Sequence, residues 1–401
     1  MVIKPKTWGF ICTNAHPVGC AKNVLEQIEV ARKMTRRPNA PARVLVIGAS
    51  TGYGLAARIT AAFGFGAATL GVFLEKPARG VKTATAGWYN SAAFQEAADA
   101  YGLQSLSVNE DAFSHQTRKH VIDLIGKKLG GPVDLVVYSL ASPVRKLPDT
   151  LELVRTSLKP IGTEFSGKSI DTDRDRLVDV RLEPASPQEI DSTIKVMGGE
   201  DLELWIAALQ EAKLLQHGAK AVAFSYLGPE ITWPIYWHGT IGRAKQHLEN
   251  TIDMLRTRYA ASELQAYTAV MKSVVTQASA AIPVMPLYIS IAFRIMKGKG
   301  LHEGIIDQVF RLFDEKLYSK DCRPPRTDAE GRLRMDEREL REDVQKECRE
   351  LWADITDENL NTATDYPGYK REFLKLFGFG RQDVDYDQDV HAEANLVCEA
   401  M

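Results

Sequence analysis

The stretch Val44-Leu-Val-Ile-Gly-Ala-Ser-Thr-Gly-Tyr-Gly54 decides the reading of this chain. Val44 to Ile47 is an apolar run of the length of a short buried strand, and Leu55 to Ala62 after it reads as a helix. Glycines 48, 52 and 54 lie between them. They let the backbone turn tightly and come close to a ligand, while the start of the next helix offers unpaired N–H groups and a favourable dipole to a pyrophosphate. A glycine pattern alone is common, so its meaning depends on the residues that follow.

Downstream, Ala67 to Leu74 is a second strand candidate ending in Glu75, 21 residues after Gly54. An acidic residue at that distance accepts hydrogen bonds from the adenosine ribose hydroxyls of a dinucleotide and repels the extra phosphate of NADPH, which argues for NADH. Lys76 and Arg79 nearby are positioned to soften that preference. Ser105 to Val108 leads to Glu110, Asp111 and Ala112, where a carboxylate suits an adenine amino group. Val133 to Tyr138 ends in the small residues Ser139 to Pro143, including Leu140 and Ala141, where backbone must approach a ribose. Thr117 to Leu129 reads as the crossover helix between these two strands. Strands alternating with helices predict an α/β fold, a Rossmann-type doubly wound, mainly parallel sheet with helices on both faces, and ligands at the carboxyl ends of its strands.

The whole chain fits one extended domain: an N-terminal addition over 1–42, a core over 43–300 with an insertion at about 149–181, and a charged helical extension over 301–401. A net charge of -2 gives no reason to expect nucleic acid as a partner. The five cysteines form no CxxC pair and suit a reducing compartment, and Met1 to Lys6 lacks the apolar segment of a secretory signal, so a cytoplasmic protein is expected. Cys12, His16 and Cys20 are spaced by four like metal ligands on one helical face. Pro17 and Gly19 interrupt such a helix and no fourth ligand lies nearby, so these are read as structural residues and no metal is expected. Asn23 to Met34 reads as an amphipathic helix, followed by a basic, proline-bearing link from Arg36 to Pro41.

Past the core strands, Asp149 to Arg181 is polar and is read as a surface insertion with short strands at most. Glu189 to Leu215 reads as helix and Ala219 to Tyr226 as a fifth buried strand. The chemistry is concentrated in Trp233-Pro-Ile-Tyr-Trp-His-Gly-Thr-Ile-Gly-Arg-Ala-Lys245. A phenol beside an ammonium can hydrogen-bond an oxygen on which negative charge develops, the ammonium lowering the effective pKa of the phenol. Tyr236 and Lys245 are nine residues apart, which on one continuous helix means opposite faces and about 13 Å of rise. They converge only if Tyr236 lies on a loop ahead of a helix that begins near Thr240, an adequate N-cap, and runs to about Arg256. His238 and His247 are rival proton donors because histidine titrates near neutrality.

At these motifs the sequence resembles the trans-2-enoyl-ACP and trans-2-enoyl-CoA reductases of the TER family, long, typically monomeric relatives of the short-chain dehydrogenase/reductases. The Gly-Ala-Ser-Thr-Gly-Tyr-Gly turn, the Tyr-x8-Lys pair and the stretch Val274-Val-Thr-Gln-Ala-Ser-Ala-Ala-Ile-Pro-Val-Met-Pro-Leu-Tyr288 carry the likeness. So does the N-terminal Cys-Thr-Asn-Ala-His-Pro-Val-Gly-Cys. The resemblance implies Tyr236 as proton donor, Tyr226 as a catalytic and substrate-pocket residue, and Lys245 as a catalytic and cofactor-binding residue. It also implies cofactor contacts from Gly48, Ala49, Ser50, Thr51, Gly52, Tyr53, Gly54, Leu74, Glu75, Asp111, Ala112, Leu140, Ala141, Val274, Val275 and Thr276. The implied reaction is NADH-dependent reduction of the 2,3 double bond of an enoyl-ACP or enoyl-CoA, the last step of fatty acid elongation, with acyl carrier protein as a partner and with no metal or flavin.

Val274 to Met296 is apolar enough to raise a membrane question, which Pro283, Pro286 and Arg294 answer against a stable span. It reads as a buried strand and turn followed by an apolar helix, or as a lid over an acyl chain. Further on, His302 to Leu317 reads as a helix, Thr327 to Met335 as a hairpin-like excursion and Asp336 to Ile355 as a charged helix with a solvated face. Phe373 to Phe379 is a patch that docks the C-terminal region, and Asp383 to Asp389 reads as a loosely ordered acidic end. Two other functions compete with enoyl reduction: a carbonyl reductase on the same scaffold, which the Tyr-x8-Lys spacing opposes, and a non-catalytic dinucleotide- or acyl-binding protein.

Overall fold

Residues 1–34, 37 and 39–401 are described by the computed structural model; Arg36 and Pro38 of the basic link lie outside the described residues. The chain opens with a small antiparallel hairpin, β1 (Thr7–Trp8) and β2 (Ile11–Cys12), and then α1 (Pro17–Ala31). The first half of the core follows as β3 (Arg43–Ile47), α2 (Gly52–Ile59), β4 (Ala68–Phe73), α3 (Ala86–Ala100), β5 (Ser105–Asn109), α4 (His115–Lys127) and β6 (Val133–Tyr138). Two antiparallel hairpins come next, β7 (Val144–Lys146) with β8 (Leu153–Arg155) and β9 (Phe165–Asp171) with β10 (Arg176–Leu182). The second half holds α5 (Pro187–Met197), α6 (Glu200–Glu211), β11 (Leu215–Ser225), α7 (Thr240–Arg258), β12 (Gln265–Val270), α8 (Gln277–Ala280), α9 (Met285–Gly298) and α10 (Ile305–Arg311). The chain ends with β13 (Leu333–Arg334), α11 (Glu342–Asp354), α12 (Leu360–Ala363), α13 (Tyr366–Lys375) and an extended tail.

Seven strands form one parallel sheet in the order β13-β12-β11-β6-β3-β4-β5. The order of the strands reverses between β3 and β6, which is where open α/β sheets bind ligands. The physical reason for the double winding is visible in β3, whose successive side chains point to opposite faces. Leu45 and Ile47 pack with Val121, Trp205 and Leu248 on one side, and Val44 and Val46 pack with Ala56, Leu312 and Phe313 on the other. All four are fully buried, and burial of each such side chain contributes roughly 1.5–3 kcal/mol, so both faces of this strand hold helices in place.

Several local expectations are corrected by the packing. The first helix begins at Pro17, not near Asn23, because proline at the first helical position loses no intrahelical hydrogen bond. His16 is its N-cap, with Nδ1 accepting from Gly19 N, and Cys20 is buried against Gly378, so these residues join the N- and C-terminal regions. The helical stretch from Glu189 breaks at Gly198-Gly199, where added Cβ atoms would meet His247 and Thr251, and Leu215 already belongs to β11. The mid-chain insertion carries seven-residue strands, longer than expected, with the charged run Asp171 to Arg176 spent on the turn between them. Thr240 is not an N-cap: Gly239 occupies that position, and the Thr240 hydroxyl donates to the Ser157 carbonyl. Residues 327–335 give one short strand that pairs parallel to β12, not a hairpin. The acidic end is irregular but anchored, since Asp383 pairs with Arg381 and Lys22, and Asp387 with Lys4. No helix among the described residues is long and apolar enough to cross a membrane.

Candidate active site

The glycine turn leaves β3 at the reversal point of the sheet. Gly48 (φ 89°) and Gly52 (φ 55°) occupy the left-handed region that favours glycine. A Cβ on Gly48 would stand 2.3 Å from the Ser139 carbonyl oxygen, and one on Gly54 would stand 1.9 Å from the Gly48 carbonyl oxygen. Thr51 caps α2 without a side-chain hydrogen bond, which leaves the N–H groups of the first turn to a ligand. These features fit a dinucleotide pyrophosphate.

Glu75 stands just beyond β4 and is joined to the turn directly: Ser50 Oγ donates to its Oε1 at 2.7 Å. Asn109 holds the Glu75 backbone in both directions, accepting from its N–H at 2.7 Å and donating to its carbonyl at 3.0 Å. Burial pushes the Glu75 carboxyl up, against hydrogen bonds from Thr85 and Ser50 that favour the charged form. Gly87 leaves room for this carboxylate, since an added Cβ would come within 2.0 Å of Oε1. Leu74 is exposed, Asp111 accepts from Phe113 N at 3.0 Å, and Ala112 is buried beside it. Leu140 and Ala141 follow β6, and Val274, Val275 and Thr276 follow β12; Thr276 is the N-cap of α8. Apart from Lys245, which lies on α7, every sequence-predicted cofactor residue therefore lies in the glycine turn and its helix start or beyond the carboxyl end of a parallel strand.

Tyr236 lies in turns ahead of α7, as its spacing from Lys245 demands. Its carbonyl accepts from Gly239 N at 3.1 Å and from Gly242 N at 3.0 Å, so the loop folds back on the first turn of the helix that carries Lys245 three residues on. Tyr236 is buried, with its ring 5.1 Å from that of Tyr226 at 77°, an edge-to-face pair. Burial pushes the Tyr236 phenol up, which corrects the expected lowering by the ammonium: loss of water is the dominant influence. Burial also pushes the Lys245 ammonium down to about 8, with Glu249 opposing. The rival histidines have other positions: His247 Nδ1 accepts from Gly199 N at 3.0 Å, and His238 stands exposed on the edge of Trp233.

Sequence reading missed the residues behind the tyrosines. Glu339, within the run read as a solvated charged helix, is fully buried, as Asp336 is nearly, and α11 begins only at Glu342. Its carboxylate accepts from the Tyr226 hydroxyl at 3.0 Å, the Tyr288 hydroxyl at 2.7 Å and Ser273 N at 2.8 Å. Lys272 is buried beside it and is pushed down to about 8 by burial, although Glu339 and Glu303 favour its charge. Tyr53 from the glycine turn donates to the Lys272 carbonyl at 2.9 Å, which links that turn to this cluster. A lysine inside the apolar run Ala266 to Val275 was the one available signal.

The chain is similar to known proteins over nearly its whole length. A family model described as the trans-2-enoyl-CoA reductase catalytic region matches residues 82–318, and one described as the NAD(P)H binding domain of trans-2-enoyl-CoA reductase matches residues 2–80. A third, described as an enoyl reductase FAD binding domain, matches residues 327–390. The chain is 60% identical to an enoyl-[acyl-carrier-protein] reductase [NADH] of Xanthomonas oryzae pv. oryzae over 99% of both chains. Two crystal structures superpose on it over nearly the full length. The trans-2-enoyl-CoA reductase of Treponema denticola in complex with NAD is 46% identical, with a TM-score of 0.94 over 100% of both chains. The enzyme of Clostridium acetobutulicum in complex with NADH is 41% identical, with a TM-score of 0.95 over 99% of this chain and 100% of the other. With family models covering most of its length and relatives 41–60% identical over nearly all of it, the chain belongs to the trans-2-enoyl-CoA reductase family.

Proposed function

We propose that Tyr236 and Lys245 serve an NADH-dependent reduction of the 2,3 double bond of trans-2-enoyl thioesters in fatty acid synthesis, with Tyr236 as proton donor and enolate stabiliser, Lys245 holding the cofactor and Tyr226 lining the substrate pocket. The observation that carries this reading is the Tyr236 loop, a buried phenol folded onto the start of the Lys245 helix. When bound, NADH supplies the hydride taken up by the β-carbon. Charge then builds on the thioester oxygen, and the Tyr236 O–H is the donor that meets it in a site from which water is excluded. An ordinary phenol is already protonated at neutral pH, the state a donor needs, and burial raises this one further. Enoyl-ACP is the proposed physiological substrate, supported by the name of the Xanthomonas relative. A monomeric, cytoplasmic protein of one extended domain is part of the same reading.

No flavin is assigned. In residues 327–390, Gly331 packs against Arg256, Gly368 sits in the Asp365 cap of α13, and Gly378 meets the backbone of His16 and Cys20. None of these glycines opens a helix that follows a strand, the arrangement a flavin dinucleotide pyrophosphate needs. The aromatic side chains Tyr366, Tyr369, Phe373, Phe377 and Phe379 fill the interior of that segment.

Oxidation of NADH with crotonyl-CoA and with longer enoyl-ACP is the direct test; an inert wild type rejects the reaction, and equal rates with β-ketoacyl thioesters favour the carbonyl reductase. Glu75→Gln is expected to improve NADPH relative to NADH by about tenfold or more in kcat/KM, because opposing two like charges costs several kcal/mol and each 1.4 kcal/mol is tenfold. An unchanged ratio removes Glu75 from cofactor selection. The position of Lys245 gives a pH dependence whose sign is fixed: its cation is present below about 8 and lost above it. Affinity for NADH is therefore expected to be level at neutral pH and to weaken above pH 8, by up to about tenfold per unit for a single proton. Titration by cofactor fluorescence in Lys245→Met should lack this break; a break that persists there belongs to Lys272.

A further inference from the structure

The substrate-pocket tyrosine has a hydrogen-bond direction that its position in the pocket alone does not reveal. A phenol carries one proton, and an ionised carboxylate only accepts. Around the fully buried Glu339 side chain, Oε1 receives the hydroxyls of Tyr226 and Tyr288, and Oε2 receives the Ser273 N–H. Tyr288 makes both kinds of bond: its oxygen accepts from Gln345 Nε2 at 3.2 Å and its hydroxyl donates to Glu339 at 2.7 Å. Gln345 Nε2 also donates to the Glu339 carbonyl at 2.7 Å and so holds the carboxylate's backbone in place. Three donors on two oxygens satisfy the carboxylate form, and buried Lys272 supplies a cation nearby. The Tyr226 proton is thereby committed to Glu339, and lone pairs are what its oxygen has left to offer another partner.

We propose that Glu339, brought in from the segment between β13 and α11, is a positioning residue that fixes the direction of the Tyr226 proton and so leaves donation to the thioester oxygen to Tyr236. This rests on the enoyl reduction proposed above. It assigns the C-terminal region a part in the chemistry: the extension sets which of two neighbouring phenols acts as the acid.

Glu339→Gln tests this because it reverses one hydrogen bond with little change of shape. The Ser273 N–H requires an acceptor, so the amide oxygen turns to it and the NH₂ group takes the place of Oε1. Its two N–H bonds then face the oxygens of Tyr226 and Tyr288, and the Tyr226 proton is released toward the pocket. Turnover of crotonyl-CoA with NADH would be compared in wild type, Tyr236→Phe, Glu339→Gln and the double variant. The double variant is expected to be about tenfold faster than Tyr236→Phe alone, a part of the 10²–10⁴-fold range of a positioned acid. Adding Tyr226→Phe should abolish that gain, which no merely structural role of Glu339 would produce. A double variant no faster than Tyr236→Phe, with wild type active, overturns the inference alone; an inert wild type overturns the reduction and the inference together. Should Glu339→Gln fail to bind NADH, single variants decide. Tyr226→Phe should then lower kcat far less than Tyr236→Phe and act mainly on KM, and equal losses in kcat overturn the proposal.

Discussion

Tyr236→Phe is expected to lower kcat for crotonyl-CoA by about 10³-fold, within the range for loss of a positioned general acid. NADH affinity should stay close to that of the wild type, because in the proposed reaction the phenol serves the thioester oxygen and Lys245 holds the cofactor. The substitution removes only an oxygen and its proton, and the edge-to-face contact with Tyr226 survives in phenylalanine. The fold should therefore be little changed, so near-ultraviolet circular dichroism and NADH titration control for damage. Steady-state kinetics read the effect as a fall in kcat and kcat/KM together, the signature of an interaction made in the transition state. A Phe variant with full activity sinks the assignment.

Gly54→Ala carries the second large effect. A single methyl there would lie 1.9 Å from the Gly48 carbonyl oxygen and 3.1 Å from the Ser139 side chain, so the start of α2 and the end of β3 must move apart by about 1 Å. Displacement of that size in a positioning element costs about 10²-fold. The expected result is a loss of NADH affinity of that order, together with overpacking strain of about 1–3 kcal/mol that lowers Tm by several degrees. Gly66→Ala is the matched control: it has a left-handed φ of 74° but nothing within 4 Å of an added Cβ, so its backbone strain should lower Tm without the loss of affinity. If Gly54→Ala binds NADH normally, the turn does not hold the cofactor closely.

These two effects separate what was legible in the sequence from what was not. The strands and the glycine turn could be read because burial on both faces produces unbroken apolar runs such as Val44 to Ile47, and because backbone approach admits only glycine at Gly48 and Gly54. The loop position of Tyr236 followed from helix geometry applied to its distance from Lys245. Glu339 was hidden for the opposite reason. Its neighbours Glu337, Arg338, Arg341 and Glu342 are charged and solvent-facing in part, and no periodic pattern marks Asp336 and Glu339 as the carboxylates that are buried. Its partners Tyr226, Ser273 and Tyr288 come from three distant parts of the chain, and only tertiary contact assembles them. The early start of α1 was missed because Pro17 was read as an interruption, when proline at a helix start is favourable.

The tail beyond residue 390 has a consequence for colloidal behaviour. β5 is the last strand on its side of the sheet, and its outer edge is a row of backbone groups open to pairing with another chain. Glu399 N donates to the Ser107 carbonyl on that edge at 2.8 Å, and the Glu399 carboxylate pairs with Lys128. Val397 N and the carbonyls of Ala392 and Ala394 are taken up by Gln95, Tyr89 and Trp88 of α3. A segment that occupies part of this edge leaves fewer of its backbone groups free to pair with another strand, which opposes strand-to-strand aggregation.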